Sequence, residues 1–234
     1  MHNAQFLINL WYNILYSEFN GREREREDMS ESGVKWEFER DRCVLMVIDM
    51  QNDFVLDGAV MQVPEAKNQL PKIRKLIDKC RSYKIPIIYT IHEADAVYCP
   101  LEVATFPVLS EAGMRKDSKG IEVVADLAPE PEDVVIRKRR FSAFYQTDLE
   151  IILRNIRGIN RPVDTVIICG TVTNICCEST ARDAFFRDYK VVFGTDVCSA
   201  VTIENHRASL LNMEVFGRNM DLAAIFAALE AGKG

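Results

Sequence analysis

The chain lacks a membrane-spanning run. Its apolar opening stretch, QFLINLWYNILY, is too short to cross a bilayer, is followed by the charged GREREREDMSES, and has neither the basic start nor the small-residue cleavage site of a signal peptide. It also lacks a basic surplus. With 29 Lys and Arg against 35 Asp and Glu the net charge is -6, which excludes a broad nucleic-acid-binding face and leaves small-molecule chemistry as the expectation. There is no CxxC pair and no spaced disulfide framework: the seven cysteines, an odd number, sit in apolar strings such as DRCVLMVID and TVIICG, a usage that suits a reducing cytoplasm. No internal repeat is present.

What is there suits one sizeable core. The hydrophobic fraction of 48% and charged fraction of 27% are those of a globular domain. Residues 35–234 are expected to form that domain. Residues 1–34 read as an N-terminal extension without a catalytic role: an amphipathic helix docked on a neighbouring subunit, a poorly ordered segment, or the product of a start upstream of Met29.

From residue 43 onward short apolar runs alternate with amphipathic segments, the pattern of parallel strands joined by helices. CVLMVID (43–49), PIIYTIH (86–92), VVIRK (134–138), DTVIICG (164–170) and KVVFGTD (190–196) read as strands, with a short sixth near EVFG. CVLMVID is continuous instead of alternating, so both of its faces should be buried. Helices are expected at about 64–83, opened by Pro64, at 147–156 with Thr147 as N-cap, over CESTARDAFFRDY, from about 203, and over DLAAIFAALE, while 93–132 reads mostly as loop. The fold class is therefore α/β, a three-layer open parallel sheet of about six strands.

In such sheets ligands bind beyond the carboxyl ends of the strands. Asp49, Lys138 and the pair Cys176–Cys177 all fall there, an acid, an amine and a thiol at one sheet edge. Helical spacing separates the two sulfurs. Cys177 aligns with Ala181, Ala184 and Phe185, a stripe that should face the sheet. Cys176 aligns with Thr180, Asp183 and Arg187 and at the first turn can point into the cleft. A helix N-terminus and the Lys138 ammonium should lower the Cys176 thiol pKa; Asp49 should raise it while serving as a direct proton acceptor. A redox pair of adjacent cysteines would close a strained ring and is not expected.

Three stretches, VIDMQNDF (47–54), KRRFSAFYQTDLE (138–150) and GTVTNICCESTARDA (170–184), resemble those of the isochorismatase-like cysteine hydrolases, most closely the ureidoacrylate and N-carbamoylsarcosine amidohydrolase branch. The resemblance implies Asp49 as general base and acid, Lys138 as the ammonium that holds the site, and Cys176, six residues after Gly170, as nucleophile. It also implies a cis peptide at Thr171–Val172 and an oxyanion hole from the Val172 and Cys176 amides. The reaction it implies is hydrolysis of a small carboxamide, ureido or N-carbamoyl compound through a thioester with release of ammonia, without a cofactor, in a cytoplasmic homodimer or homotetramer. Asn52, Phe54, Arg140, Phe144 and Tyr145, which lie in the same stretches, complete the candidate substrate-binding set; Arg140 or Arg139 could meet a substrate carboxylate.

Nicotinamidases of the same family bind a metal through an aspartate and two histidines after strand two. IHEADAVYCPLE offers only His92 there, so no metal site is expected, and His92 and His206 read as hydrogen-bonded structural residues. The rival functions are a metal-dependent nicotinamidase and a non-catalytic binding protein of the same fold. No nucleic-acid or membrane partner is expected.

Overall fold

The structure, a computed structural model, describes residues 36, 38–106, 108, 113–158 and 161–232. The extension assigned to residues 1–34 lies outside the described residues. Among those described, no helix is long and apolar enough to cross a membrane.

Six strands form one sheet in the order β3-β2-β1-β4-β5-β6, every neighbouring pair parallel. They are β1 (Cys43–Ile48), β2 (Ile87–His92), β3 (Val134–Lys138), β4 (Thr165–Thr171), β5 (Lys190–Ser199) and β6 (Arg218–Met220). The helices are α1 (Asn52–Val55), α2 (Ala66–Ser82), α3 (Pro100–Thr105), α4 (Leu149–Asn155), α5 (Glu178–Phe185), α6 (Ile203–Met213) and α7 (Leu222–Ala231).

The unbroken apolar runs follow from cover on both faces. Along β1, Cys43, Leu45 and Val47 enter one core with Ile73, Leu76 and Ile77 of α2 and Ile225 and Leu229 of α7. Val44, Met46 and Ile48 enter the other, with Leu149 and Leu153 of α4 and Ala181 and Ala184 of α5. Successive side chains of a strand point to opposite faces, so one continuous apolar string feeds two layers.

Several boundaries move for local reasons. Pro64 lies in a turn before α2, which begins at Ala66. The N-cap of α4 is Asp148, not Thr147, whose hydroxyl accepts from the Leu149 amide at 3.2 Å. β5 continues past Asp196 because Cys198 and Ser199 pair with Gly170 and Thr171. EVFG is a turn, its Phe216 and Gly217 amides both bonded to the Met213 carbonyl at 3.0 Å, and β6 starts just after it. The stretch 93–132 holds α3 and two 3-10 turns, and Met114, Val124 and Leu127 in it are fully buried. That loop packs on the sheet end as part of the core.

The strand order reverses between β1 and β4, the place where an α/β sheet opens a crevice. Asp49 leaves β1 there and the cysteine-bearing turn leaves β4. The two strands approach closely at Gly170 (φ +119°), where a Cβ would meet the Ile48 carbonyl oxygen at 2.1 Å.

Candidate active site

Beyond the ends of β1, β3 and β4 three buried side chains converge. Asp49 Oδ2 lies 2.7 Å from Lys138 Nζ, both side chains fully inaccessible. Cys176 is 3% exposed, and its sulfur lies within 4.8 Å of an Asp49 carboxylate oxygen and a His92 ring nitrogen. Cys176 sits in a wide π turn, Thr173–Cys177, that precedes α5, so it is not in the first α-helical turn that spacing suggested. The turn is held by α6: Thr173 Oγ1 is 2.9 Å from His206 Nδ1, and Ser209 Oγ donates to the Thr173 carbonyl at 3.4 Å. Wide turns of this kind recur at functional positions.

The charges set the protonation states. Burial pushes the Lys138 ammonium down, but Asp49 and Cys176 beside it outweigh that, and its pKa ends above the ordinary lysine value. Burial raises the Cys176 thiol; Lys138 opposes this and Asp49 reinforces it. The net shift is upward, against the lowering expected from a helix end, because complete desolvation outweighs the partial charges of one turn. At rest the site therefore holds a thiol beside a carboxylate, with a lysine that stays cationic.

The neighbours fix the carboxylate. Thr90 Oγ1 donates to Asp49 Oδ1 at 2.5 Å and accepts from the Asp49 amide at 3.0 Å; Thr171 Oγ1 donates to the Asp49 carbonyl at 3.1 Å. Buried Gln51 clips the end of β1 to β2, donating to the His92 carbonyl at 3.0 Å and accepting from the His92 amide at 2.8 Å. Asp53 holds the covering loop by accepting from the Met114 amide at 2.7 Å, and Gly120 lets it pass, since a Cβ there would meet Asp53 Oδ2 at 2.2 Å. The Thr171–Val172 peptide is cis.

An open cavity of about 60 Å³ lies over Cys176. Phe54, Val172 and Cys176 from the expected set line it, and Thr171 supports it from below. Asn52, Arg140, Phe144 and Tyr145 do not. Asn52 donates to the Lys119 carbonyl at 2.7 Å. Arg140 donates to the Arg139 and Tyr98 carbonyls, each at 2.7 Å, and does not reach the cavity. Phe144 packs against Tyr189 with ring centroids 6.0 Å apart and lies beneath Arg187, and Tyr145 is 51% exposed. Cys177 is fully buried with Ala181 and Ala184 as its spacing implies, whereas Phe185 is 40% exposed and meets Phe216 edge-on.

Residue spacing did not reveal His92, Glu102, Met61, Phe106, Met114, Phe141 and Ile175 as cavity-lining residues. His92 had a readable signal, because it ends β2 in register with Lys138. Its Nδ1 lies 3.1 Å from Lys138 Nζ and its Nε2 lies 2.6 Å from Glu102 Oε1. An ammonium can only donate, so Nδ1 accepts and the ring proton resides on Nε2, which makes no hydrogen bond although Glu102 stands beside it.

Asp49, His92 and Cys176 bring potential metal-ligand atoms within 4.8 Å of one another, and they are the only such group of three among the described residues. They do not fit a cation, because Lys138 Nζ already stands 2.7 Å from Asp49 and 3.1 Å from His92. A second positive charge there would meet the ammonium at contact distance.

Residues 43–224 match the isochorismatase domain. Over 197 residues the chain is 33% identical to the ureidoacrylate amidohydrolase of Acinetobacter baylyi, a match covering 75% of this chain and 78% of that protein. It is 34% identical over 178 residues to a probable inactive nicotinamidase of Arabidopsis thaliana, covering 74% and 88%. Among solved structures, a cysteine hydrolase from Pseudomonas syringae superposes with a TM-score of 0.79 at 30% identity, covering 87% of this chain and 99% of that one.

Proposed function

The chain belongs to the isochorismatase domain family, and from that premise we propose that it is a cysteine amidohydrolase that releases ammonia from a small carboxamide, ureido or N-carbamoyl compound. The observation that carries the reading is a buried thiol within 4.8 Å of a carboxylate that is itself paired, at 2.7 Å, to a lysine. A nucleophile beside a base that a third group orients is what acyl transfer requires.

The cycle has two halves. Asp49 takes the Cys176 proton as the sulfur attacks the carbonyl carbon, so that the S–C bond forms as the carbonyl becomes an oxyanion beside the Val172 and Cys176 amides. Collapse expels the nitrogen, which receives that proton from Asp49 and leaves as ammonia. Water then attacks the thioester with Asp49 as base, the acid product departs and the thiol is restored. Lys138 remains an ammonium throughout. It holds Asp49 in place and balances the charge that appears on sulfur.

Buried free cysteines agree with a reducing cytoplasm, and the assembly is read as a homodimer or homotetramer with no cofactor. Similarity to an inactive relative favours one rival, a binding protein of the same fold. An ammonia-release screen over ureidoacrylate, N-carbamoylsarcosine, biuret, maleamate and nicotinamide separates them. Release from at least one compound, unchanged by a chelator, is expected. Silence on all five would favour the binding protein, and loss with chelator would favour a metal-dependent nicotinamidase.

A further inference from the structure

The cavity over Cys176 is walled by carbon, with Phe54, Phe106, Met114 and Phe141 among its lining. The ionisable side chains that reach it are His92, Glu102 and Cys176 itself. The His92 and Glu102 side chains are 4% and 7% exposed, so both are drawn out of water.

Four cations at the end of β3 are committed elsewhere. Lys138 is fully buried against Asp49 at 2.7 Å, and its charge is cancelled there. Arg137 and Arg139 turn to Glu93, at 3.1 and 3.7 Å, and Arg140 is bound to two backbone carbonyls. Among the described residues, no lysine or arginine lines the cavity. A substrate carboxylate would therefore enter an apolar pocket with no counter-ion and would face Glu102. A carboxamide or ureido group meets the opposite situation. Uncharged, it meets no repulsion from Glu102 and costs less to bring out of water.

We infer that Glu102 is a specificity-determining residue: its negative charge beside the cavity rejects anionic substrates in favour of an uncharged carboxamide or ureido one. The inference rests on the reading of Cys176 as the reachable nucleophile. It departs from ureidoacrylate, which carries a carboxylate, and in the five-compound screen it places biuret and nicotinamide ahead of the three acids.

Iodoacetamide and iodoacetate form a matched pair that tests this without knowledge of the substrate, since they differ only in amide against carboxylate. Each alkylates Cys176 through its thiolate with formation of an S–C bond and departure of iodide, the thiol proton having passed to solvent. Rates at Cys176 are read by peptide mass spectrometry on the full chain and normalised to the rates for glutathione. The expected preference for iodoacetamide is at least about 30-fold, the size of a like-charge contact a few ångströms away in a partly desolvated site. Glu102→Gln should bring it within about three-fold of glutathione, while Glu102→Asp should keep most of it. Asp49 is present in all three proteins, so its charge does not account for the change. A wild-type ratio equal to that of glutathione, or one unaltered by Glu102→Gln, overturns the inference and leaves the amidohydrolase reading standing. Failure of both reagents to modify Cys176 overturns both.

Discussion

Cys176→Ala is expected to lower ammonia release by about 10⁴-fold or more, the scale seen when a covalent nucleophile is removed from a hydrolase. The neighbouring Cys177→Ala should retain most of the activity. The contrast follows from where the two sulfurs stand. Cys176 lines the cavity and interacts with Asp49 and Lys138. Cys177 has no accessible surface, packs with Ala181 and Ala184, and interacts with Cys198 from β5. Its sulfur fills space between α5 and the sheet, so its removal leaves a small void and costs about 1–2 kcal/mol of stability, read as a lower midpoint in denaturant. Parallel ammonia assays and unfolding curves of the two variants measure both effects. Loss of activity in Cys177→Ala with retention in Cys176→Ala would reverse the assignment.

Asp49→Asn should fold and yet lose about 10³-fold in turnover, because general acid–base transfer at both halves of the reaction disappears. Asparagine can keep the hydrogen bond that Thr90 Oγ1 donates, now 2.5 Å from Asp49 Oδ1. It cannot accept the thiol proton, and it leaves Lys138 with His92 Nδ1 at 3.1 Å and the Arg140 carbonyl at 3.2 Å as its acceptors. The pH response provides a second reading. Asp49 is one of the groups that raise the Cys176 thiol, so its neutralisation should move the thiol pKa down. Alkylation of Cys176 near neutral pH should then become faster while ammonia release becomes slower. Faster sulfur with slower turnover separates the base from the nucleophile, and near-normal ammonia release in this variant would exclude Asp49 as the base.

Much of the fold was legible because burial on both faces forces continuous apolar strands, and CVLMVID shows that directly. The crevice residues were legible for a topological reason: parallel strands that all end on one side must bring Asp49, Lys138 and the turn after Gly170 together. Helical spacing distinguished Cys177 from Cys176, although the π turn and the exposed Phe185 lay outside that simple stripe. The loop over residues 93–131 was not legible. Glu102, Phe106 and Met114 reach the cavity through a chain path set by packing, such as the bond from the Met114 amide to Asp53, and that packing leaves no periodic mark. Arg140 illustrates the same limit. Its charge was visible in RKRR, but its direction depends on the Tyr98 and Arg139 carbonyls. The opposing pulls of Lys138 and Asp49 on the thiol were legible, but the larger effect of complete burial was not, because spacing reveals a helix end and not desolvation.

The most direct test of the account is rapid acid quench of the wild-type chain during turnover of whichever compound the screen selects, followed by mass spectrometry with fragmentation between residues 176 and 177. The account predicts an added acyl mass on Cys176 that is absent from Cys176→Ala. Acyl mass on Cys177, or sustained ammonia release with no acyl mass on either sulfur, would contradict it.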